Sequence, residues 1–324
     1  MWVLGETMEK SKNKFKVDSR QLIYVILIIL ALYVFVPQIS SFHKSWSIIR
    51  HVSASWTLAA VAFTLSTYFF AALNYTFLSL KKLRYAQVVL VQYAAMLVNR
   101  LLPAGVGALG ANYAYLRNKK HNPTQAATVV AINNLFGILG HFTLILLVLF
   151  FSSSYSRSIA LHSEHDETVG VWLVFVVILS LGVFGVLFAR ERLKRNIVTF
   201  KNQILLYRHH PLRLLGALTS SMALTLGNVI CLYCSMQAVG IHLPFVVVLL
   251  IFTLGVSTGT VTPTPGGLGG FEAGLFAGFV AFHVGAAPAL AIALLYRLIS
   301  YWFAILLGAG AFLIAQRQHL FATR

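Results

Sequence analysis

The amino-acid sequence predicts an all-α, polytopic integral membrane protein with an inverted repeat and two re-entrant helical hairpins. Three observations lead to this prediction: the composition, a series of long apolar runs, and a proline- and glycine-rich pattern that occurs twice. Hydrophobic residues make up 58% of the 324 residues, charged residues make up 10%, and the mean hydropathy is +0.80. Soluble globular proteins contain about 25% charged residues, so the composition excludes that class.

The long apolar runs define the predicted membrane helices. A helix needs roughly 20 apolar residues to cross a bilayer. The runs that approach or exceed this length are 22–36, 56–78, 126–151, 171–188, 214–236 and 289–315. Two further runs, 86–102 and 245–261, lead into the repeated pattern. The first run follows a lysine-rich segment, but no small-residue cleavage site comes after it, so we expect an uncleaved first helix.

The repeated pattern interrupts two of these runs. Residues 103–108 read P-A-G-V-G-A, and residues 265–270 read P-G-G-L-G-G, 162 positions later. Each copy is followed, about 20 residues further on, by a second proline, Pro123 or Pro288, that opens another apolar helix. Lipid cannot satisfy the backbone groups that such breaks release, so the breaks persist only against protein or a watery cavity. Matched breaks in the two halves of a membrane protein indicate a transport site.

The lysine and arginine residues predict the orientation in the membrane. If the N-terminus is cytoplasmic, 20 of the 25 lie in cytoplasmic segments, and Lys44, Arg50 and Arg157 lie outside. The other two, Arg100 and Arg297, fall within apolar segments. This bias follows the positive-inside rule. The net charge of +17 is therefore attributed to basic segments that contact anionic lipid, and not to binding of nucleic acid. Both termini are therefore expected in the cytoplasm.

With this orientation, the two hairpins enter the membrane from opposite sides, and the acidic loop 164–167 lies outside. The charge count alone does not distinguish re-entrant from fully spanning segments, but 109–116 would form only about 12 Å of helix at 1.5 Å per residue. Opposed hairpins are the arrangement of inverted-repeat transporters. The sequence thus divides into a basic cytoplasmic tail (1–20), a transmembrane domain (21–316) and a cytoplasmic tail (317–324). The repeat elements lie near 85–151 and 245–315.

Charged residues within the apolar segments are candidates for function. Glu272 is the only acidic residue of the sequence that falls within one of the apolar segments. Placing a charged side chain at the centre of a membrane helix costs about 2.5 to 3.5 kcal/mol on insertion scales. Arg297, on the next helix, is its natural partner, and the pair serves either as a structural ion pair or in substrate or proton handling. Arg100 precedes the first break by three residues and has no acidic neighbour in sequence. We expect it to face a cavity and meet an anionic headgroup, rather than to snorkel to the interface.

Polar residues also occupy equivalent positions of the two repeats. Asn133 and Asn134 begin 30 residues after Pro103, and Tyr296 begins 31 residues after Pro265. Helices that start near the glycines would point their positive N-termini at a bound phosphate. The candidate substrate-binding set is Arg100, Pro103, Gly105, Gly107, Asn133, Asn134, Pro265, Gly266, Gly267, Gly269, Glu272, Tyr296 and Arg297.

Signals for enzymes are weak, and we expect no catalytic residue, cofactor or metal. Residues 255–259 match the G-x-S-x-G pattern of hydrolases, but they fall in an apolar helix rather than between a strand and a helix. Cys231 and Cys234 lie in one apolar run without a second pair of ligands, which favours a packing role. The histidines and acids of 162–165 lack an evident fourth ligand.

Two stretches of the sequence resemble a known family. Residues 265–273, P-G-G-L-G-G-F-E-A, and 294–302, L-L-Y-R-L-I-S-Y-W, resemble the signature of the lysylphosphatidylglycerol synthase transmembrane family. This flippase-like domain also occurs as stand-alone proteins of the YbhN (UPF0104) type. Residues 99–116, with N-R-L-L-P at their start, are similar to its first motif. Where many members carry an acid in that motif, this chain has Ala108.

The resemblance implies translocation, or flipping, of a phospholipid or polyprenyl-linked lipid across a bacterial or archaeal cytoplasmic membrane. It implies no nucleic-acid partner, and it leaves open a homo-oligomer or a partner lipid-modifying enzyme. No aminoacyl transferase domain follows in this sequence, so no lipid aminoacylation is expected. The alternative is a non-transporting subunit that binds lipid or scaffolds a partner enzyme. Transport predicts a cavity lined by Arg100, Asn133, Asn134, Glu272 and Arg297, whereas scaffolding predicts a tightly packed interior.

Overall fold

The described part of the chain is helical and contains no β-strand. The structure, a computed structural model, describes residues 45–79, 81–102, 106–159, 182, 207, 210–262 and 264–321, with the backbone alone for 148–159. The predictions for the N-terminal tail, for the runs 22–36 and 171–188 and for the acidic loop concern residues outside this set. The helices are α1 (Ala54–Leu78), α2 (Tyr85–Leu101), α3 (Val106–Asn118), α4 (Pro123–Ile159), α5 (Pro211–Ala238), α6 (Phe245–Val261), α7 (Gly270–Ala281), α8 (Ala286–Arg297) and α9 (Ala304–Arg317). A π-helical segment, Leu298–Phe303, joins α8 to α9.

Among the residues that the structure describes, four helical stretches are long and apolar enough to cross a membrane. They are α1, the part of α4 over Pro123–Leu147, α5, and the continuous stretch Ala286–Arg317. Helices α4 and α5 each begin at a proline, which is suited to the first turn because its missing N–H would have no helical acceptor there. The prediction of an all-α, polytopic membrane protein is confirmed.

The helices follow the same order twice. In the first half, a helix of 25 residues precedes short helices of 17 and 13 residues and a long helix of 37 residues. In the second half, a helix of 28 residues precedes short helices of 17 and 12 residues and a stretch of 32 residues. We call the short pairs the first hairpin (α2 and α3) and the second hairpin (α6 and α7).

One end of the bundle contains the base of the second hairpin. The backbone N–H of Ser53 donates to the carbonyl of Ala238 at 3.0 Å, which joins the start of α1 to the end of α5. The hydroxyl of Ser45 donates to the carbonyl of Ala287 at 2.8 Å, which adds the start of α8. Helix α6 begins shortly after α5, and α7 ends shortly before α8. The second hairpin therefore starts and finishes at this end.

The opposite end contains the base of the first hairpin, and we call it the basic end. Arg213 donates from Nη1 to the carbonyl of Ser79 at 3.3 Å, and Asn118 donates from Nδ2 to the carbonyl of His319 at 3.0 Å. The first bond joins the start of α5 to the end of α1, and the second joins the end of α3 to the end of α9. The lysine and arginine residues in the described turns and helix ends here are Lys81, Lys82, Arg84, Arg117, Lys119, Lys120, Arg213 and Arg317.

The two halves differ in how their last helix packs. Helix α9 lies closely along α2, where a Cβ on Gly308 would be 2.9 Å from the carbonyl oxygen of Tyr93. Helix α4 instead packs mainly along α5 and approaches α6 at only a few positions. Because α4 and α6 are separated, a cavity lies between them, bounded also by α1, α2 and α5.

Candidate functional site

The tips of the two hairpins meet in the middle of the bundle, around Tyr301. The Tyr301 hydroxyl donates towards the carbonyl oxygens of Arg100 at 3.3 Å and Pro265 at 3.5 Å, one from each hairpin. Arg100 donates in return from Nη2 to the carbonyl of Ser300 at 3.2 Å. The guanidinium groups of Arg100 and Arg297 lie 4.9 Å and 5.2 Å from the Tyr301 ring centre. The π-helical segment thus joins both hairpin tips through one tyrosine.

The turn of the second hairpin depends on glycine. Gly266, Gly267 and Gly269 have φ values of +62°, +66° and +85°, which glycine adopts readily and other residues adopt only with strain. A Cβ on Gly266 would also collide with the ring of Tyr301. The glycine-rich pattern is therefore explained by backbone conformation and by close packing at the tip.

Glu272 and Arg297 form a buried ion pair beside this turn. The Nε of Arg297 lies 2.7 Å from Oε1 of Glu272, and the two side chains are 5% and 8% exposed. Arg297 Nη2 also donates at 3.2 Å to the carbonyls of both Gly266 and Gly267. Oε2 of Glu272 accepts a 2.8 Å hydrogen bond from the N–H of Gly269. The carboxylate thereby occupies the N-terminus of α7, so this helix end is already neutralised by an anion from the chain itself.

Aromatic rings enclose the ion pair on the side of α8. Phe271 stacks on Tyr296 with a 5.6 Å centroid separation and a 10° interplanar angle. The Arg297 guanidinium lies 4.4 Å from the Phe271 ring centre, within range of a cation–π contact. Tyr296 is 4% exposed. Paired, hydrogen-bonded and covered by rings, the two charges fix the second hairpin against α8.

Neutral amides hold the first hairpin together. Gln92 of α2 donates to Oδ1 of Asn112 on α3 at 2.7 Å, and Asn112 donates to the carbonyl of Ala108 at 2.9 Å. The N–H of Ala108 donates to Oδ1 of Asn99 at 3.3 Å. Gly107 is buried against the backbone of α2. Pro103 and Gly105 lie outside the described residues.

The cavity between the hairpins has a volume of about 710 Å³ and a partly polar wall. Its described wall contains Arg100 as its one lysine or arginine, and it contains no aspartate or glutamate. Amide groups enter it from α1, α2, α4 and α5. These amide side chains are Asn74, Gln92, Asn99, Asn133, Asn134 and Asn228. A cation surrounded by neutral donors and acceptors is suited to an anion that also bears polar groups.

The structure divides the sequence-predicted residues between two places. Arg100, Asn133 and Asn134 line the cavity. Glu272 and Arg297, which were expected in the cavity lining, are not part of the wall, because they pair with each other. With Tyr296 and the glycines of the second turn, they hold the second hairpin. The sequence did not single out Asn74, because isolated asparagines in membrane helices most often serve in packing. Tyr301 lies within the 294–302 signature, but no role was assigned to it.

The weak enzyme signals acquire structural roles in the described residues. The hydroxyl of Ser257, within the G-x-S-x-G match, donates at 2.8 Å to the carbonyl of Thr253 inside α6. Cys231 and Cys234 are buried and unpaired with each other, and Cys231 accepts a hydrogen bond from Thr64 at 3.0 Å. No group of three potential metal ligands occurs among the residues that the structure describes.

Comparison with known proteins identifies a family of membrane proteins. The family model described as the lysylphosphatidylglycerol synthase TM region matches residues 21–308. A UPF0104 membrane protein of Methanothermobacter thermautotrophicus is 38% identical over 78 residues, which make up 24% of this chain and 23% of that protein. The match therefore spans about a quarter of the length of this curated relative.

Proposed function

We propose that this chain, which belongs to the lysylphosphatidylglycerol synthase transmembrane family, translocates a phospholipid or lipid-linked substrate across the cytoplasmic membrane. The observation that carries the proposal is the cavity of about 710 Å³ between the two hairpins, with Arg100 in its wall. A phospholipid crosses a bilayer slowly because its charged headgroup must leave water. A polar cavity at membrane depth lowers that barrier by replacing part of the lost hydration.

The arrangement of the hairpins supports an inverted repeat in the membrane. The hairpins have their bases at opposite ends of the bundle, and the positive-inside rule assigns the basic end to the cytoplasm. On this assignment the first hairpin is re-entrant from the cytoplasm and the second from outside. In a cysteine-free background, a single cysteine at Asn122 should react with a membrane-impermeant thiol reagent only from the cytoplasmic side. A single cysteine at Gly285 should react only from the outside. Labelling of both from one side would contradict this topology.

Arg100 is proposed to receive the phosphate of the headgroup. A guanidinium forms strong, charge-assisted hydrogen bonds to phosphate oxygens. The N-terminus of α7 is a weaker candidate because Glu272 already occupies it. The acyl chains would remain in the lipid while the headgroup enters between α4 and α6, where the helices are separated.

The packing asymmetry supplies a route for movement. Helix α2 is closed against α9, whereas α6 is open towards α4. If one half rocks against the other, the open and closed contacts exchange and the cavity becomes accessible to the other leaflet. A bound lipid favours whichever arrangement it contacts best.

Reconstitution into vesicles tests the proposal. Purified protein should accelerate the transbilayer movement of at least one headgroup in a panel of anionic, aminoacylated and polyprenyl-linked lipids, with ion gradients supplied. Arg100→Gln should lower the rate about tenfold, which corresponds to about 1.4 kcal/mol of transition-state stabilisation, while the variant remains folded and still unfolds cooperatively on heating. Arg50→Gln, at the opposite end from the basic end, is the matched control.

If folded protein leaves every lipid in the panel unmoved, the alternative is favoured. The chain would then be a non-transporting subunit that binds lipid or scaffolds a partner enzyme.

A further inference from the structure

The cavity wall also restricts which headgroup can enter. Resting on the proposed function, we propose that the substrate headgroup is an anionic polyol, meaning a phosphate that carries a hydroxyl-rich group such as glycerol, inositol or a sugar. A headgroup bearing an exposed ammonium is disfavoured.

The charge of the wall is the first reason. Arg100 repels an ammonium group, and the described wall offers no carboxylate to pair with one. Glu272 is committed to Arg297 at 2.7 Å and lies outside the wall. Aromatic rings such as that of Phe142 do line the wall. A cation–π contact alone is weaker than the cost of removing an ammonium group from water, so a counter-ion is still needed.

An unpartnered acceptor is the second reason. Asn74 is 3% exposed, lines the cavity, and donates from Nδ2 to the Ser221 hydroxyl at 3.0 Å. Its Oδ1 is buried and has no hydrogen-bond partner among the described residues. A carbonyl oxygen needs a donor. An ionised phosphate offers acceptors only, so the donor must come from another part of the headgroup, and a hydroxyl supplies it without adding positive charge.

Two more buried groups of the wall lack a hydrogen-bond partner among the described residues. Arg100 Nε is a donor without an acceptor, and His141 Nε2, on α4, is also without a partner among the described residues. A phosphate would satisfy the arginine, while hydroxyl groups, each able both to donate and to accept, suit the asparagine and the histidine. Unpaired buried groups make such a site reject ligands that lack the matching polar groups.

Headgroup selectivity of the wild-type protein in vesicles tests this inference. The probes are phosphatidylglycerol and phosphatidylinositol, compared with phosphatidylethanolamine and lysylphosphatidylglycerol. Both polyol lipids should move at least about tenfold faster than both amine lipids, the ratio expected when one buried polar group is left unpaired. Equal or faster movement of the amine lipids overturns the inference while leaving transport intact.

A variant locates the effect. Asn74→Leu should slow the movement of phosphatidylglycerol about tenfold and leave the movement of phosphatidic acid, which carries no polyol, unchanged. The control Asn122→Leu, in an exposed turn, should change the movement of neither lipid. Equal slowing of both lipids by Asn74→Leu would contradict a role in reading hydroxyl groups.

A binding measurement separates this inference from the proposed function. If no lipid moves, native mass spectrometry of the wild-type protein with the same four lipids decides. Preferential retention of the polyol lipids supports the headgroup assignment although transport has failed. Equal or greater retention of the amine lipids overturns the assignment as well.

Discussion

The two hairpins share a helical plan but are held by different chemistry. The second hairpin has three glycines with positive φ and the Glu272–Arg297 ion pair at 2.7 Å. The first is held by the neutral Gln92–Asn112 bond at 2.7 Å, and its one charged residue at the tip is Arg100, in the cavity wall. In the second hairpin the charges neutralise each other, whereas in the first a cation is left to face the cavity. Under the proposed function, this difference makes the second hairpin the anchor and the first hairpin the one that contacts the substrate.

The neighbouring helices repeat the contrast. The first hairpin is closed against α9, and the second is open towards α4. A rigidly held second hairpin next to an open cavity can form a fixed wall. If the two halves rock as proposed, the second hairpin moves as one unit with α8, because the contacts between them cost most to break.

The largest expected effect is removal of one charge of the ion pair. Arg297→Met leaves the buried carboxylate of Glu272 unpaired, and Glu272→Gln leaves the buried guanidinium of Arg297 unpaired. Breaking a buried pair in this way costs about 3 to 5 kcal/mol. Gln92→Leu, the counterpart in the first hairpin, should cost about 1 to 3 kcal/mol. The free energy of unfolding in detergent measures both. A double-mutant cycle at Glu272 and Arg297 with strictly additive losses would show that the pair contributes no coupling.

A smaller effect is expected from adding a methyl group at the second turn. Gly266→Ala should cost about 1 to 3 kcal/mol, because alanine is strained at positive φ and its Cβ meets the Tyr301 ring. Gly110→Ala in α3 is the control, since a Cβ there meets nothing within 4 Å and alanine favours a helix by about 0.5 to 1 kcal/mol. Equal melting temperatures for the two variants would contradict the stated role of the turn.

Much of this architecture follows from residue patterns. Runs of apolar residues and paired proline–glycine breaks predict the order of long and short helices. The lone acid Glu272 predicts a partner, and the structure pairs it with Arg297 because an unpaired charge at that depth is costly. Arg100 lies in the cavity wall, near the point where Tyr301 joins the tips of the two hairpins.

Other features do not follow from the sequence. Apolar periodicity does not say which pairs of helices separate, so the opening between α4 and α6 is a tertiary result. Tyr301 and Asn74 resemble ordinary packing residues until their partners are known. The pairing of Glu272 with the N–H of Gly269, which neutralises the start of α7, depends on the geometry of a turn that three glycines shape.

The smallest expected effect is a pH dependence of the stability of the fold, caused by a histidine at the base of the first hairpin. His121 is buried in the turn between α3 and α4, with Nδ1 3.0 Å from the carbonyl of Leu116 and Nε2 3.1 Å from the Ser79 hydroxyl. Burial, with a smaller contribution from Lys81, lowers its pKa below the ordinary value of about 6.5. The folded protein then binds fewer protons than the unfolded chain, so stability is full above about pH 6.5 and falls as the pH drops below it.

Thermal unfolding between pH 7.5 and 5 measures this dependence. His121→Gln removes the titrating group and should flatten the profile across that range. An unchanged pH profile in the variant would assign the acid sensitivity to other groups.

The claim that the cavity is the route of the lipid is tested most directly by filling it. Asn228→Trp places a large ring in the cavity wall, and Leu306→Trp places the same ring on α9 at a position that is 71% exposed. The measurement is the rate of phosphatidylglycerol movement in vesicles that contain equal amounts of each folded variant. We predict at least a tenfold loss for Asn228→Trp and a wild-type rate for Leu306→Trp. Wild-type movement with the cavity filled would contradict the account.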